Sequence, residues 1–247
     1  NIYMFDSKGL IGAFRTDLDD MKTFFASHKK EVSFEEAFKG ADVFLGLSRG
    51  GLVNKEMIKK MAKDPIVFAL ANPDPEISYK DATSVRKDII MATGRSDHPN
   101  QVNNVLGFPF IFRGALDVRA TTINEEMKLA AVKAIASLAK ETIPEEVIEA
   151  YGEKNISFGR DQIIPKPLDP RLIYSVAPAV AKAAMESGVA KNPIKDWQKY
   201  EAELKARLGL DNELMRNITA KAQSNPKKVV FAEADNIKIL KAAQQVK

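Results

Sequence analysis

Four short apolar runs, residues 2–5, 43–47, 66–70 and 89–92, are separated by stretches long enough and suitably patterned to form helices. Runs this short suit strands buried on both faces better than they suit buried helices. Strands that alternate with helices need crossover connections, which make the sheet parallel and lay the helices on its faces. The expectation is a doubly wound α/β core with a parallel sheet.

Local signals fill in the helices. Residues 16–30 set Leu18, Met21, Phe24 and Phe25 at helical spacing. Ser33 precedes Glu36 by three positions, the spacing of a capping box that opens a helix over Phe34, Ala37 and Phe38. A further helix is expected over residues 55–62. From Asn124 the pattern becomes helical: Asn124 caps a run reaching Lys140, and Pro144 opens another that ends near Tyr151 and Gly152. A proline-rich loop, residues 164–171, leads to an alanine-rich helix expected over residues 178–187, and Trp197, Tyr200, Leu204 and Leu208 are spaced for one more. A break at Ser224, Asn225 and Pro226 precedes a strand expected over residues 229–231 and a helix from Asp235, the start of a second α/β domain.

Composition removes whole classes of function. With no cysteine among the 247 residues, disulfides, thiolate metal sites and cysteine nucleophiles are excluded. The net charge of +4 comes from interspersed acids and bases rather than a dense basic stripe, so nucleic acid is not an expected partner. No apolar stretch reaches the length of about 18 residues that a membrane span needs, and no leader pattern precedes the first strand. A cytoplasmic location is expected. His28 and His98 lack metal-ligand spacing and read as surface or loop histidines.

Asp6 is the most informative polar residue. An acid at the tip of a strand commonly bonds the adenine ribose in dinucleotide-binding folds, about 20 residues after a Gly-rich loop, which counting back places before Asn1. The competing reading is an ordinary turn acid. Ser7 and Lys8 beside it suit a 2′-phosphate instead. Strand ends on one edge of a parallel sheet face the ligand, so the loops holding Ser48-Arg49-Gly50-Gly51 and Asn72-Pro73-Asp74-Pro75-Glu76 should be neighbours. Ser48 and Asn72 are candidates there, although each also fits a plain turn. Residues 93–104 are dense in amides and charges, and Arg95 with the amides suits a small carboxylate substrate.

Three irregular runs resemble the bacterial malic enzymes: Ile66-Val-Phe-Ala-Leu-Ala-Asn72-Pro-Asp-Pro-Glu76, Ala92-Thr-Gly-Arg-Ser-Asp97, and Pro99-Asn-Gln-Val-Asn-Asn104-Val-Leu-Gly-Phe-Pro109 followed by Phe112-Arg-Gly-Ala-Leu-Asp117. Residues 225–235 resemble the opening of a phosphate acetyltransferase domain, as in the large hybrid malic enzymes. The resemblance implies a Rossmann-like NAD(P)-binding domain over residues 1–205, a linker over 206–224, and the start of an acetyltransferase-like domain over 225–247. It implies oxidative decarboxylation of malate to pyruvate and carbon dioxide with reduction of NADP, NAD being possible, and Mg²⁺ or Mn²⁺ in the full-length enzyme.

By the same resemblance Asn72 and Asn104 contact malate, Asn104 also meets the nicotinamide, Asp6, Ser7 and Lys8 lie near the adenine ribose, and Ser48 lies near the dinucleotide. The family's acid, base and metal ligands fall outside these residues, so no catalytic or metal-binding residue is assigned and the fragment alone is expected to be inactive. A homo-oligomer and a possible acetyl-CoA site in the C-terminal domain are further implications. Two rivals stand beside this reading. One is a non-catalytic regulatory or scaffolding module that senses acyl-CoA; the other is an amino-acid dehydrogenase, which gives no account of residues 100–109.

Overall fold

The computed structural model describes residues 2–28, 31–144, 147–148, 151–152, 157–208, 225 and 230. The chain divides into two compact units, Asn1–Pro109 with Val132–Asp169, and Phe110–Ala131 with Pro170–Lys247. Among the described residues no helix is long and apolar enough to cross a membrane.

In the first unit the expected alternation forms. Strands β3 (Val43–Gly46), β4 (Ile66–Ala69) and β5 (Ile90–Thr93) make a parallel sheet in the order β3-β4-β5. Val43 pairs with Ile66 and Ile66 with Ile90, so the three strands run level to Gly46, Ala69 and Thr93. Crossing between them are α3 (Lys55–Lys59), capped by the Asn54 side chain, and α4 (Tyr79–Val85), capped by Ser78. Val67 and Ala69 of β4 and Met91 of β5 pack with Met57 and Ile58 of α3, Ala82 of α4 and Phe38. The other face of β3 carries Val43 and Leu45, both exposed.

Ahead of the sheet, α2 (Phe34–Ala37) opens on the expected capping box: Ser33 Oγ accepts from the Glu36 N–H, and Glu36 accepts from the Ser33 N–H. Two expectations fail here. The apolar run at residues 2–5 predicts a parallel strand, but β1 (Phe5–Asp6) pairs antiparallel with β2 (Gly9–Leu10). The reason is local. The Lys8 N–H donates to Asp6 Oδ1 at 3.0 Å, and Gly9 sits at φ +111°, where a side chain is strained, so the chain reverses at once. The helix expected within residues 16–30 shrinks to α1 (Asp20–Phe24), and Met21 and Phe24, read as its apolar face, are exposed.

The second unit holds α7 (Arg171–Glu186) and α8 (Trp197–Arg207), together with most of α5 (Phe108–Asp117) and the start of α6 (Glu125–Leu138). Asn124 caps α6 as expected, its Oδ1 accepting from the Met127 N–H while its amide donates to Ser187 Oγ. The alanine-rich helix starts seven residues earlier than expected, with Pro178 inside it rather than at its head. The helix runs on through Pro178 although that position lacks an N–H donor. Small residues let α5 approach α7, since a Cβ at Gly114 would fall 2.4 Å from the Ala177 carbonyl oxygen. Tyr200 and Leu204 of α8 pack with Ala177, and the Tyr200 hydroxyl donates to Asp117 Oδ2 at 2.8 Å. The helix expected from Pro144 and the strand expected at 229–231 lie only partly within the described residues, and the helix from Asp235 lies outside them.

The sheet core gives a direct stability test. Ile58 is fully buried against β4, so Ile58→Ala should cost about 2–5 kcal/mol in chemical unfolding. A loss below about 1 kcal/mol would mean that this face is not closely packed.

Candidate functional site

Because β3, β4 and β5 are parallel and level, their C-terminal ends share one edge, the place where open α/β sheets bind ligands. The ladder between β3 and β4 ends where the Leu70 N–H donates to the Gly46 carbonyl at 3.0 Å. Beyond that bond the chains part, and the next backbone donors have no strand to meet. Glu76 takes them. Its Oε1 accepts from the Ser48 N–H at 2.9 Å and its Oε2 from the Ala71 N–H at 3.1 Å. Glu76 is fully buried, and a Cβ at Gly46 would stand 2.4 Å from its carboxyl carbon. Two main-chain bonds continue the seam: the Gly51 N–H donates to the Pro75 carbonyl at 3.1 Å and the Val53 N–H to the Glu76 carbonyl at 2.9 Å.

Ser48 and Asn72 therefore belong to two loops joined side by side, and both residues are exposed. The Asn72–Pro73 peptide is cis. Gly94, just past β5, leaves space beside Asn72: a Cβ there would find Asn72 Oδ1 as its nearest neighbour at 3.8 Å. Gly51 takes φ +70°, where a side chain is strained, and a Cβ at Gly50 would meet Asp74 Cβ at 2.8 Å, so Gly50 is needed for the close passage of the two loops.

The polar segment after β5 is built around Asn100. This residue is buried at φ +55°, its amide nitrogen donates to the carbonyls of Met91 and Arg160 at 3.0 and 2.6 Å, and its oxygen accepts from the Ile163 N–H at 2.8 Å. Asn103 then caps a short 3-10 turn, Asn104–Leu106, by accepting from the Val105 N–H, which leaves Asn104 exposed at the head of the turn. The Arg95 guanidinium makes two bonds to Asp97, both 2.8 Å, in an exposed ion pair. His98 stacks on Tyr79 at 4.7 Å, in keeping with a loop residue.

Asp6, Ser7 and Lys8 belong to the β1–β2 hairpin, with Ser7 and Lys8 exposed at its turn. Phe5 packs edge-on against Phe34 of α2 at 5.3 Å, and Phe34 packs against Phe44 of β3 at 6.4 Å, which ties the hairpin to the sheet. Both carboxylate oxygens of Asp6 are engaged. Arg15 donates to Oδ1 and Oδ2 at 2.8 and 3.1 Å, and Lys22 reaches Oδ2 at 3.1 Å. Lys8 Nζ pairs with Asp17, which also accepts from Arg15. Three cations thus face two carboxylates. Arg15 first, then Lys22 and the Lys8 N–H, hold the Asp6 carboxyl well below the usual carboxylate range. An open pocket of about 410 Å³, lined by Phe5, Leu10, Val32 and Phe34 among others, flanks the hairpin.

The residues the sequence does not single out are the supporting ones. Glu76 closes the Ile66–Glu76 run but has no role assigned there, and Arg15, Lys22 and Gly46 carry no motif at all. Among the described residues no group of three or more His, Cys, Asp or Glu side chains is placed to hold a metal ion. The site as described does not fit a divalent cation.

Comparison with known proteins identifies the relatives of this fold. The family described as "Malic enzyme, NAD binding domain" matches residues 1–150. An NADP-dependent malic enzyme of Salmonella typhimurium is 51% identical over 248 residues, covering 100% of this chain and 33% of that protein. An NAD-dependent malic enzyme of Rhizobium meliloti is 47% identical over 246 residues, covering 99% and 32%. Among solved structures, Entamoeba histolytica malic enzyme superposes with a TM-score of 0.70 at 34% identity, covering 99% of this chain and 49% of that one. The chain spans about a third of the length of the curated relatives it matches.

Two measurements test this geometry. Asn100→Asp keeps the shape but cannot donate to two carbonyls, and should cost about 1–3 kcal/mol in unfolding; an unchanged midpoint would remove Asn100 from the support of this loop. A carboxyl whose folded pKa is depressed contributes stability above its ordinary value of 3.8, and that contribution is lost as pH falls further toward the folded value. Asp6→Asn should accordingly flatten the acid limb of a stability–pH profile below about pH 4. An acid limb identical to that of the parent would show that the cluster does not form in solution.

Proposed function

Since this chain belongs to the malic enzyme family, with residues 1–150 matching its NAD-binding domain, we propose that it holds NADP and malate for oxidative decarboxylation to pyruvate and carbon dioxide in the full-length enzyme. The observation that carries this reading is the meeting of Ser48, Asn72 and Gly94 at the C-terminal edge of the parallel sheet. NADP, when bound, supplies the acceptor for the hydride that leaves malate. The chain's own part is to bind and orient. The backbone at Gly51 gives a ligand close approach, and Ser48 offers a hydroxyl toward the dinucleotide. Asn72 and Asn104 present neutral amides that donate to the oxygens of a dianion without repelling it. Holding the hydroxyl-bearing carbon against the nicotinamide is where such positioning acts on the rate.

The adenine end is assigned to the hairpin. Asp6, Ser7 and Lys8 would lie near the ribose. Lys8, Arg15 and Lys22 outnumber Asp6 and Asp17 in this ion-pair cluster, which supports a 2′-phosphate over a free hydroxyl. This is the basis for NADP ahead of NAD. Mg²⁺ or Mn²⁺ finds no fitting ligand set among the described residues, and no step is assigned to it here. On this reading the 247 residues alone do not turn over malate. The reading extends to a cytoplasmic homo-oligomer and to a C-terminal acetyltransferase-like domain that meets acetyl-CoA, both supported by sequence resemblance.

Steady-state kinetics of the full-length protein provide the test. Asn72→Ala should raise the KM for malate at least about tenfold while leaving dinucleotide binding nearly intact. A malate KM equal to that of the parent would refute the assignment. Lys8→Ala should raise the KM for NADP far more than that for NAD, and equal effects on the two would count against the phosphate-binding role.

A further inference from the structure

We infer that Glu76 is a positioning residue, whose buried carboxylate sets the separation between the Ser48 loop and the Asn72 loop. The inference rests on the function proposed above, in which those loops carry the dinucleotide and malate contacts. Its physical basis is the end of the β3–β4 ladder. Past the Leu70 to Gly46 bond, the Ser48 and Ala71 N–H groups point toward a space with no strand partner. A carboxylate is suited to that space because it offers two acceptors at a fixed spacing and no donor. Each oxygen takes one N–H, at 2.9 and 3.1 Å, so the two loops are held as far apart as the carboxylate is wide. Burial of Glu76 removes water as an alternative partner, and Gly46 is the residue that leaves room for it.

The chemistry sorts the possible replacements. Glutamine has the same shape but brings an NH₂ group to one of the two N–H donors, so one contact turns repulsive. Aspartate is shorter and cannot reach both donors. A Cβ at position 46 leaves Glu76 in place but drives into its carboxyl group. None of these changes touches Ser48 or Asn72 themselves. Their effect on binding should pass entirely through the spacing of the loops.

The experiment is a double-mutant cycle in the full-length protein, with malate and NADP kinetics and thermal unfolding recorded for Glu76→Gln, Asn72→Ala and the pair. Glu76→Gln should raise the malate KM on the order of 10- to 100-fold with kcat changed less. Added to Asn72→Ala it should raise that KM little further, because the contact it positions is already gone. Gly46→Ala is read in the same way and gives the answer if Glu76→Gln does not fold. Fully additive effects, or a malate KM unchanged in Glu76→Gln and Gly46→Ala while Asn72→Ala raises it, would overturn the positioning role and leave the proposed function standing. A malate KM unchanged in Asn72→Ala itself would overturn the proposed function and this inference with it.

Discussion

The end of a parallel ladder is a physical problem before it is a binding site. Parallel strands leave their edge donors without partners once the chains diverge, and a buried N–H left unpaired costs as much as a lost hydrogen bond. Here the problem is solved by one carboxylate, Glu76, which joins the loops after β3 and β4 through the Ser48 and Ala71 N–H groups. The Gly51 and Val53 N–H bonds to Pro75 and Glu76 extend the same seam. The exposed residues of these two loops, Ser48 and Asn72, take their position from this join. Ser48 and Asn72 are held by backbone neighbours that cannot move apart, which is the rigidity that a binding site needs.

Asn100 performs the corresponding task one strand further along. By joining Met91, Arg160 and Ile163 it fixes the course of the segment that ends at Asn104. The two devices differ in kind. Glu76 offers only acceptors and meets only N–H groups, whereas Asn100 uses both ends of an amide to meet carbonyls and an N–H. In each case the residue that shapes the edge is buried, and the residue assigned to the ligand is the exposed neighbour.

Much of the architecture was legible because it depends on periodicity. The parallel strands at residues 43–47, 66–70 and 89–92, the Ser33–Glu36 capping box and the Asn124 cap all follow from local pattern, and all form. The first strand was misread because an apolar run fixes burial but not pairing partner; Asp6 and Gly9 decide the reversal. The helix around Met21 was overextended because correct spacing alone does not supply a surface to pack on. At the site, the exposed amides were readable from irregular motifs, whereas the roles of Arg15, Lys22 and Glu76 depend on contacts with residues up to 28 positions away, although Glu76 itself lies in one of those motifs.

The measurement that bears most directly on the edge as a dinucleotide and malate site is a crystal structure of the full-length protein with NADP and a non-reactive malate analogue. The geometry predicts the dinucleotide along the Ser48–Gly51 loop with its 2′-phosphate at Lys8, and the analogue against Asn72 and Asn104. Ligands bound away from the C-terminal ends of β3, β4 and β5, with those loops empty, would contradict it.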